Sequence, residues 1–418
     1  MHKTVNPAHH RRTKSSPNNR FVTESVKKSK IGDKLMKRSL ALLGILGVAA
    51  TAHAQSNVTL YGLIDTSLVY TNNQKGGTNY QMSSGVESGS RWGLKGAEDL
   101  GGGLKAIFQL ENGFSGTTGT LGQNGRMFGR AAFVGITSQT FGSFTAGRQN
   151  EPSADFVGPL LASNQWAGGI GAHPGDTDNL YVNGRISNSI KYLSQDFGGF
   201  RVGGLFSLGG TAGNFSNNRI WSVAAGYNRG PLAVGASYIK TAQPNTALWD
   251  GTAGAAAISP NNTPIYSGYA SARTLSVASV AANYTLGSAR FGLAYSNSNF
   301  SDLGSAAASA PIARYRGATV VFDNYEANFN YQVTPALLLG VAYDYTHTRG
   351  AGNAHYDQGN IGGDYFLSKR TDVYLTMAYQ KASGVDSTGK QAVAALWPVT
   401  ASSNSHQIVG ALGLRHRF

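Results

Sequence analysis

The chain has no cysteine, few charged side chains and, beyond one short stretch near its start, no apolar run approaching membrane-spanning length. Without cysteine there is no disulfide framework, even for an exported protein. Charged residues make up only 13%, and the 55 glycines in 418 residues are about 13% against roughly 7% on average, a composition unlike that of a helical globular protein. So much glycine opposes long helices and suits a tightly curved sheet whose interior stays partly open. There is no Gly-x-Ser-x-Gly elbow and no His-Glu-x-x-His motif, and the run 169–175 misses the dinucleotide-binding spacing. His347, His355, His406 and His416 show no metal-ligand spacing, and Asp176-Thr177-Asp178-Asn179 matches part of a calcium loop without its glycine and distal glutamate. Neither a cofactor nor a metal is expected.

Residues 36–54 have a basic start, an apolar run over 40–50 and the small-residue ending Ala52-His53-Ala54, the pattern of a secretory signal peptide cleaved before Gln55. The run is too short for a spanning helix, which needs about 20 apolar residues. Residues 1–35 are basic with almost no apolar content, so they are expected to be disordered, or untranslated with Met36 as the true start. The first 54 residues hold 11 Lys and Arg against 2 Asp and Glu, which leaves 35 − 11 = 24 basic and 21 − 2 = 19 acidic residues in 55–418, a net charge of +5. A mildly basic mature chain removes the main support for nucleic-acid binding.

What is present is alternation. In 90–113 (SRWGLKGAEDLGGGLKAIFQLENG), Leu104, Ala106, Phe108 and Leu110 take one face and Lys105, Gln109 and Glu111 the other, with a Gly-rich turn between two such halves. The pattern recurs at 58–70, 126–137, 143–149, 185–195, 200–208, 218–229, 232–241, 273–286, 289–300, 321–332, 336–348, 358–367, 371–381 and 404–418. With the two halves of the hairpin this makes sixteen strands. Tight connections alternate with mostly long ones at 71–89, 150–184, 242–272 and 301–320, the layout of a transmembrane β-barrel.

Face chemistry decides inside from outside. Tyr325, Ala327, Phe329 and Tyr331 alternate with Asn324, Glu326, Asn328 and Asn330, a polar set too wet for a dry core. Were the apolar faces turned inward, sixteen strands would enclose more volume than such side chains fill, so those faces are expected to meet lipid around a wet interior. Tyr70, Tyr227, Tyr284, Tyr331 and Tyr345, at strand ends, suit the interfacial girdles. By strand phase Arg91, Lys95, Arg185 and Lys191 face the lumen, the last two alternating with outward Ile186, Ile190 and Tyr192.

The segments VTLYGLIDTSL, SRWGLKGAEDLGGGLKAIFQLE, GRAAFVGI, TAGRQ, NGRISNSIKY, YFLSKRTDVYLTMAYQ and HQIVGALGLRHRF, taken in order, resemble the general porins of Gram-negative bacteria, in particular the beta-proteobacterial type. The resemblance implies an all-β, sixteen-stranded antiparallel barrel in the cell outer membrane, with the third long loop folded into the lumen as a constriction. It also implies a homotrimer surrounded by outer-membrane lipid and lipopolysaccharide, a non-enzymatic path for small hydrophilic solutes and anions, and no nucleic-acid partner. The terminal aromatic Phe418 resembles the signal read by the barrel-assembly machinery. The basic constriction wall of the family resembles Arg91, Arg130 and Arg185 here, with Arg148 a neighbour. Glu151 and Asp155 near the start of the third loop, and Asp176 and Asp178 near its end, are its acidic candidates. The Pro-Glu-Phe that many relatives carry at the loop tip is replaced by Gly158-Pro159-Leu160-Leu161, so a net-positive eyelet is expected.

Three other readings stay open on the sequence. A barrel enzyme could assemble catalytic groups only in space, an adhesin could use the long loops, and Trp166 in the third loop could line the path of a solute-specific channel.

Overall fold

Along Thr371–Ser383 the side chains of Leu375 and Met377 are 60% and 44% exposed while those of Thr376 and Ala378 between and beside them are buried. This two-residue rhythm of greasy outside and small or polar inside runs around a computed structural model that describes residues 57–181, 184–250, 263–304 and 315–418. The expected extension at 1–35 and signal peptide at 36–54 lie outside the described residues.

Seventeen antiparallel strands follow one another in order. They are β1 Asn57–Gln74, β2 Gly77–Ser84, β3 Arg91–Gly101, β4 Leu104–Gly113, β5 Ala131–Ser138, β6 Gly142–Gln149, β7 Ile186–Leu193, β8 Phe200–Ser207 and β9 Ile220–Arg229. The second half comprises β10 Leu232–Ala242, β11 Thr274–Leu286, β12 Ala289–Ser301, β13 Val320–Thr334, β14 Leu337–Gly350, β15 His355–Phe366, β16 Thr371–Ser383 and β17 His406–Arg417. From β3 onward each pairs with the next, and β17 returns to pair with β1 from Leu63↔Arg417 to Thr71↔Val409. On its other edge β1 pairs with β2 above Thr66 and with β3 below Leu63, so β2 and β3 are two halves of one stave. The barrel therefore has sixteen staves, and closure gives the spanning staves ladder partners on both edges, which is what lipid demands, while the short β2 is held by β1 alone among the described residues.

The expected loop at 71–89 contains β2. Its alternation is there, with Tyr80 and Met82 facing out and Asn79, Gln81 and Ser83 against them, but the run is short and its polar set small. The strand expected at 126–137 begins only at Ala131. Ile186, expected to face lipid, is buried with Leu205, Ile220 and Leu248. The left-handed backbone of Asn188 (φ 52°) and the shift of register between Gly147 and Gln149 break the alternation of β7 at its start.

The expected wet interior holds for one part of the lumen. Elsewhere Trp249, Tyr266 and Tyr269 of the segment between β10 and β11 turn inward onto Leu275, Val277, Phe300, Phe322 and Tyr356, making a dry aromatic cluster inside the barrel. Outside, Tyr295, Tyr325, Tyr345 and His355 stack in a row near one rim, while Tyr227, Tyr284, Phe291, Phe329 and Tyr331 lie near the other. These are the positions at which a ring meets hydrocarbon and its polar end meets water.

Charge reinforces the closing seam. Gly85 (φ 74°) turns the chain between β2 and β3 so closely that any Cβ would press on Gly89. The turn delivers the N–H groups of Glu87 and Ser88 to Asp65 Oδ2 at 2.9 and 2.6 Å, while the Tyr374 hydroxyl donates to Asp65 Oδ1 at 2.6 Å. Arg415 on β17 reaches Glu87 at 3.4 Å, Asp364 at 3.0 Å and Asp372 at 2.9 Å, and Arg417 reaches Asp372 at 2.6 Å. Removing the central cation would leave buried carboxylates facing one another. Arg415→Met is expected to cost about 3–5 kcal/mol of barrel stability, read as a lowered unfolding temperature in detergent. The exposed Arg290→Ala should stay within about 0.5 kcal/mol of the parent.

Candidate constriction site

The segment between β6 and β7 leaves the rim at Gln149 and turns inward. Pro152 opens a helical turn at Ser153–Phe156, followed by short turns at Gly158–Leu160, Ser163–Ala167, Gly169–Gly171 and Pro174–Asp176. Glycines every few residues keep these turns short, and Phe156, Val157, Leu161, Trp166 and Ile170 supply an apolar underside that is buried. The barrel wall beneath is shaped to receive it. Gly226 and Gly235 make room for Phe156, and Gly340 and Gly362 make room for the indole of Trp166; a Cβ on Gly340 would overlap the ring.

Polar contacts complete the docking. Ser222 Oγ donates to Glu151 Oε2 at 2.7 Å, the Ala162 N–H donates to Glu326 Oε1 at 2.9 Å, and Asn330 Nδ2 donates to Gln165 Oε1 at 2.8 Å. Gln358 Nε2 donates to the carbonyls of Ile170 and Ala172 at 3.2 and 3.1 Å. These partners all lie on β9, β10 and β13–β16. The loop thus docks on one side of the lumen, across from the side built from β3–β6 and the start of β7, where Arg185 is itself buried.

That other side is basic. Arg91 on β3, Arg130 before β5, Arg148 on β6 and Arg185 before β7 lie within electrostatic reach of one another, and Arg126 joins them through a shared partner. Gly89 and Gly113 flank Arg130, where a Cβ would stand 3.1 Å from Nη1 and 3.0 Å from Cδ, so their small size gives the guanidinium its place. Two carboxylates are interleaved. Arg130 Nε contacts Glu111 Oε1 at 2.7 Å while the Tyr61 hydroxyl donates to Glu111 Oε2 at 2.8 Å. Arg126 and Arg148 share Asp250 at 2.9 and 3.5 Å. Arg148 also donates to Ser187 Oγ at 2.7 Å and to the carbonyls of Gly129 at 2.7 Å and Arg185 at 3.2 Å. Among the described residues five guanidiniums stand here with two carboxylates, a formal charge of 5 − 2 = +3.

Lys95 lies farther along β3 with its ammonium 5.2 Å from the centre of the Tyr61 ring. Lys191 is buried and bound to Asp155 at 2.5 Å and to the carbonyl of Asn150 at 3.1 Å. Glu151 is buried against Ser153 and Ser222, Asp176 Oδ1 accepts the N–H of Tyr181 at 3.0 Å, and Asp178 is buried between His173 and Ser296. Trp166 is 1% exposed beneath the loop, so it does not line an open path. Arg126, Asp250 and the docking residues were not legible as site residues, since nothing in their neighbourhood marks them. Glu111 was visible on the polar face of the opening hairpin.

Trp166→Ala removes the anchor from the loop side and Gly340→Ala fills its seat from the wall side, so both variants should give larger or noisier single-channel conductance. The tryptophan truncation should also lose about 3–5 kcal/mol of stability. Burial pushes the Glu151 carboxyl up from its ordinary value, although hydrogen bonds from Ser153 and Ser222 and the charge of Lys191 oppose this. A raised carboxyl contributes stability fully below the unfolded-state value and loses it as pH rises through the folded one. Glu151→Gln is therefore expected to unfold at or above the parental temperature near neutral pH and to flatten its decline above about pH 4.

Comparison with known proteins agrees with this architecture. The family model described as Gram-negative porin matches residues 39–385. An outer membrane porin protein of Bordetella pertussis is 34% identical over 230 residues, 49% of this chain and 59% of that protein. Outer membrane porin protein 32 of Delftia acidovorans is 36% identical over 226 residues, 50% of this chain and 61% of that protein. The chain thus spans about three fifths of the length of these curated relatives. Among solved structures, an anion-selective porin from Comamonas acidovorans superposes with a TM-score of 0.65 at 22% identity, covering 87% of this chain and 100% of that one. In-vitro folded OmpT of Vibrio cholerae does so with a TM-score of 0.59 at 16% identity, covering 88% and 100%. A matched family model over most of the length, on a sixteen-stave barrel with an inward-folded third loop, establishes that the chain belongs to the Gram-negative porin family.

Proposed function

We propose that the protein is an outer-membrane channel for passive diffusion of small hydrophilic solutes and ions, with a preference for anions. The observation that carries the preference is the cluster of Arg91, Arg126, Arg130, Arg148 and Arg185, a formal +3 with Glu111 and Asp250 among the described residues, across from a loop whose Glu151 and Asp178 are engaged in docking. An anion about 8 Å from one guanidinium gains roughly 0.5 kcal/mol in bulk dielectric, so a net three give about 1.5 kcal/mol, near tenfold in local occupancy. Screening over about 8 Å at physiological ionic strength reduces this, so the field biases rather than gates. Arginine keeps the field at any physiological pH.

The assembly is read as a homotrimer in lipid and lipopolysaccharide, from family resemblance. Phe418 supports a part in barrel assembly: its N–H and carbonyl pair with Gly62 at 3.0 and 3.1 Å, and its ring fills the space that Gly62 leaves. In planar bilayers under a salt gradient, the reversal potential should favour anions and collapse toward zero in concentrated salt. Arg91→Ala with Arg185→Ala should shift it toward cations, and a cation-favouring parent would overturn the reading.

A further inference from the structure

Where the inserted loop meets β13 and β14, three ligating atoms converge with nothing between them. His173 Nε2 lies 3.3 Å from Glu326 Oε2 and 3.8 Å from Asp344 Oδ1, and all three lie within 4.8 Å of one another. The three side chains are at most 3% exposed, and none of these three atoms has a hydrogen-bond partner. Their other polar atoms are all engaged. Glu326 Oε1 accepts the Ala162 N–H at 2.9 Å and Asn328 Nδ2 at 2.5 Å, and Asp344 Oδ2 accepts Asn360 Nδ2 at 2.6 Å. Each carboxylate is thus held by one oxygen with the other aimed at the imidazole. On the far side of the ring, Nδ1 meets Asp178 Oδ2 at 2.7 Å, and Asp178 is itself held by Ser296 Oγ at 2.5 Å.

We propose that His173 Nε2, Glu326 Oε2 and Asp344 Oδ1 form a binding site for a divalent transition ion of the Zn2+ class, which clamps the inserted loop to the barrel wall. The arrangement has the marks of such a site. A metal-bound histidine ordinarily donates its other ring N–H to a carboxylate, which fixes the tautomer and leaves Nε2 free to ligate, and Asp178 occupies that place. Zinc bonds of about 2.0–2.2 Å in a tetrahedron need ligand atoms about 3.3–3.6 Å apart, close to the 3.3 and 3.8 Å that separate Nε2 from the two carboxylate oxygens. One imidazole nitrogen and two carboxylates are too few oxygens for Ca2+, which takes about 6–8.

Charge points the same way. Glu326, Asp344 and Asp178 place three carboxyl groups together in a buried space, where a dication would offset their negative charge. The clamp ties the segment at His173 to two neighbouring staves, and so fixes the surface opposite the arginine wall.

The test is refolding of the full chain into detergent with Zn2+ or with a chelator, followed by dialysis and metal analysis. About one Zn2+ per folded chain is expected, and Co2+ in its place should give the visible absorption of a four-coordinate ion. His173→Gln should abolish both, and Asp178→Asn should weaken binding about 10–100-fold. His347→Gln with His355→Gln, which breaks the stacked outward pair 4.9 Å apart, should change neither. Folding is checked by heat-modifiable gel mobility, with Glu326→Gln and Asp344→Asn as alternatives should His173→Gln not fold. Folded parent protein without bound metal, as an imidazolium held among the carboxylates would give, overturns the proposal. So does metal binding that survives in a folded His173, Glu326 or Asp344 variant.

Discussion

Every backbone N–H and C=O that crosses the hydrocarbon has to find its partner within the protein, and closing the sheet on itself is how this chain meets that demand. The β1–β17 ladder is the last one needed for closure, and the structure reinforces it more heavily than any other seam among the described residues. Asp65, Glu87, Tyr374, Arg415 and Asp372 bring together the first and last strands of the barrel and the turn that splits the second stave. Once the ring is shut, the outward faces are determined: side chains with period two must be apolar wherever they meet lipid, and the opposite set is left to line whatever the barrel encloses.

Closure creates a second problem, since sixteen staves enclose more space than their inward side chains fill. The inserted loop and the segment carrying Trp249, Tyr266 and Tyr269 solve it unequally. They pack apolar anchors against β7–β16 and meet β6 through the ion pair of Asp250 with Arg148. The consequence is a lumen with two unlike halves. One is dry or tightly hydrogen-bonded and takes up Glu151 and Asp178 of the loop in docking, while the other gathers its guanidiniums around Glu111 and Asp250. The electrostatic character of the opening therefore follows from where carboxylates are spent in packing as much as from where arginines stand.

Much of this was legible in the residues. The outward set Tyr325, Ala327, Phe329 and Tyr331 against Asn324, Glu326, Asn328 and Asn330 appears in the structure with the phase read from alternation, as does that of Thr371–Ser383. What failed did so where alternation is short or interrupted. β2 was hidden within an expected loop because only two large apolar residues mark it, and Ile186 was placed outside because the left-handed turn at Asn188 is invisible to a periodicity count. The dry cluster at Phe300, Phe322 and Tyr356 could not be anticipated either, since it depends on a distant segment folding in to cover it.

The division between the two levels of information has a physical cause. Strand phase, the sixteen-stave count, the family and the basic character of Arg91 and Arg185 are local or additive properties, set by period-two chemistry and by short ordered motifs, so the sequence alone determined them. The fates of Glu151, Asp178 and His173 were decided only by the tertiary structure. Their partners, Ser222, Ser296 and Glu326, lie 71, 118 and 153 residues away (326 − 173 = 153), and contacts of that separation exist only after the barrel has closed and the loop has turned into it.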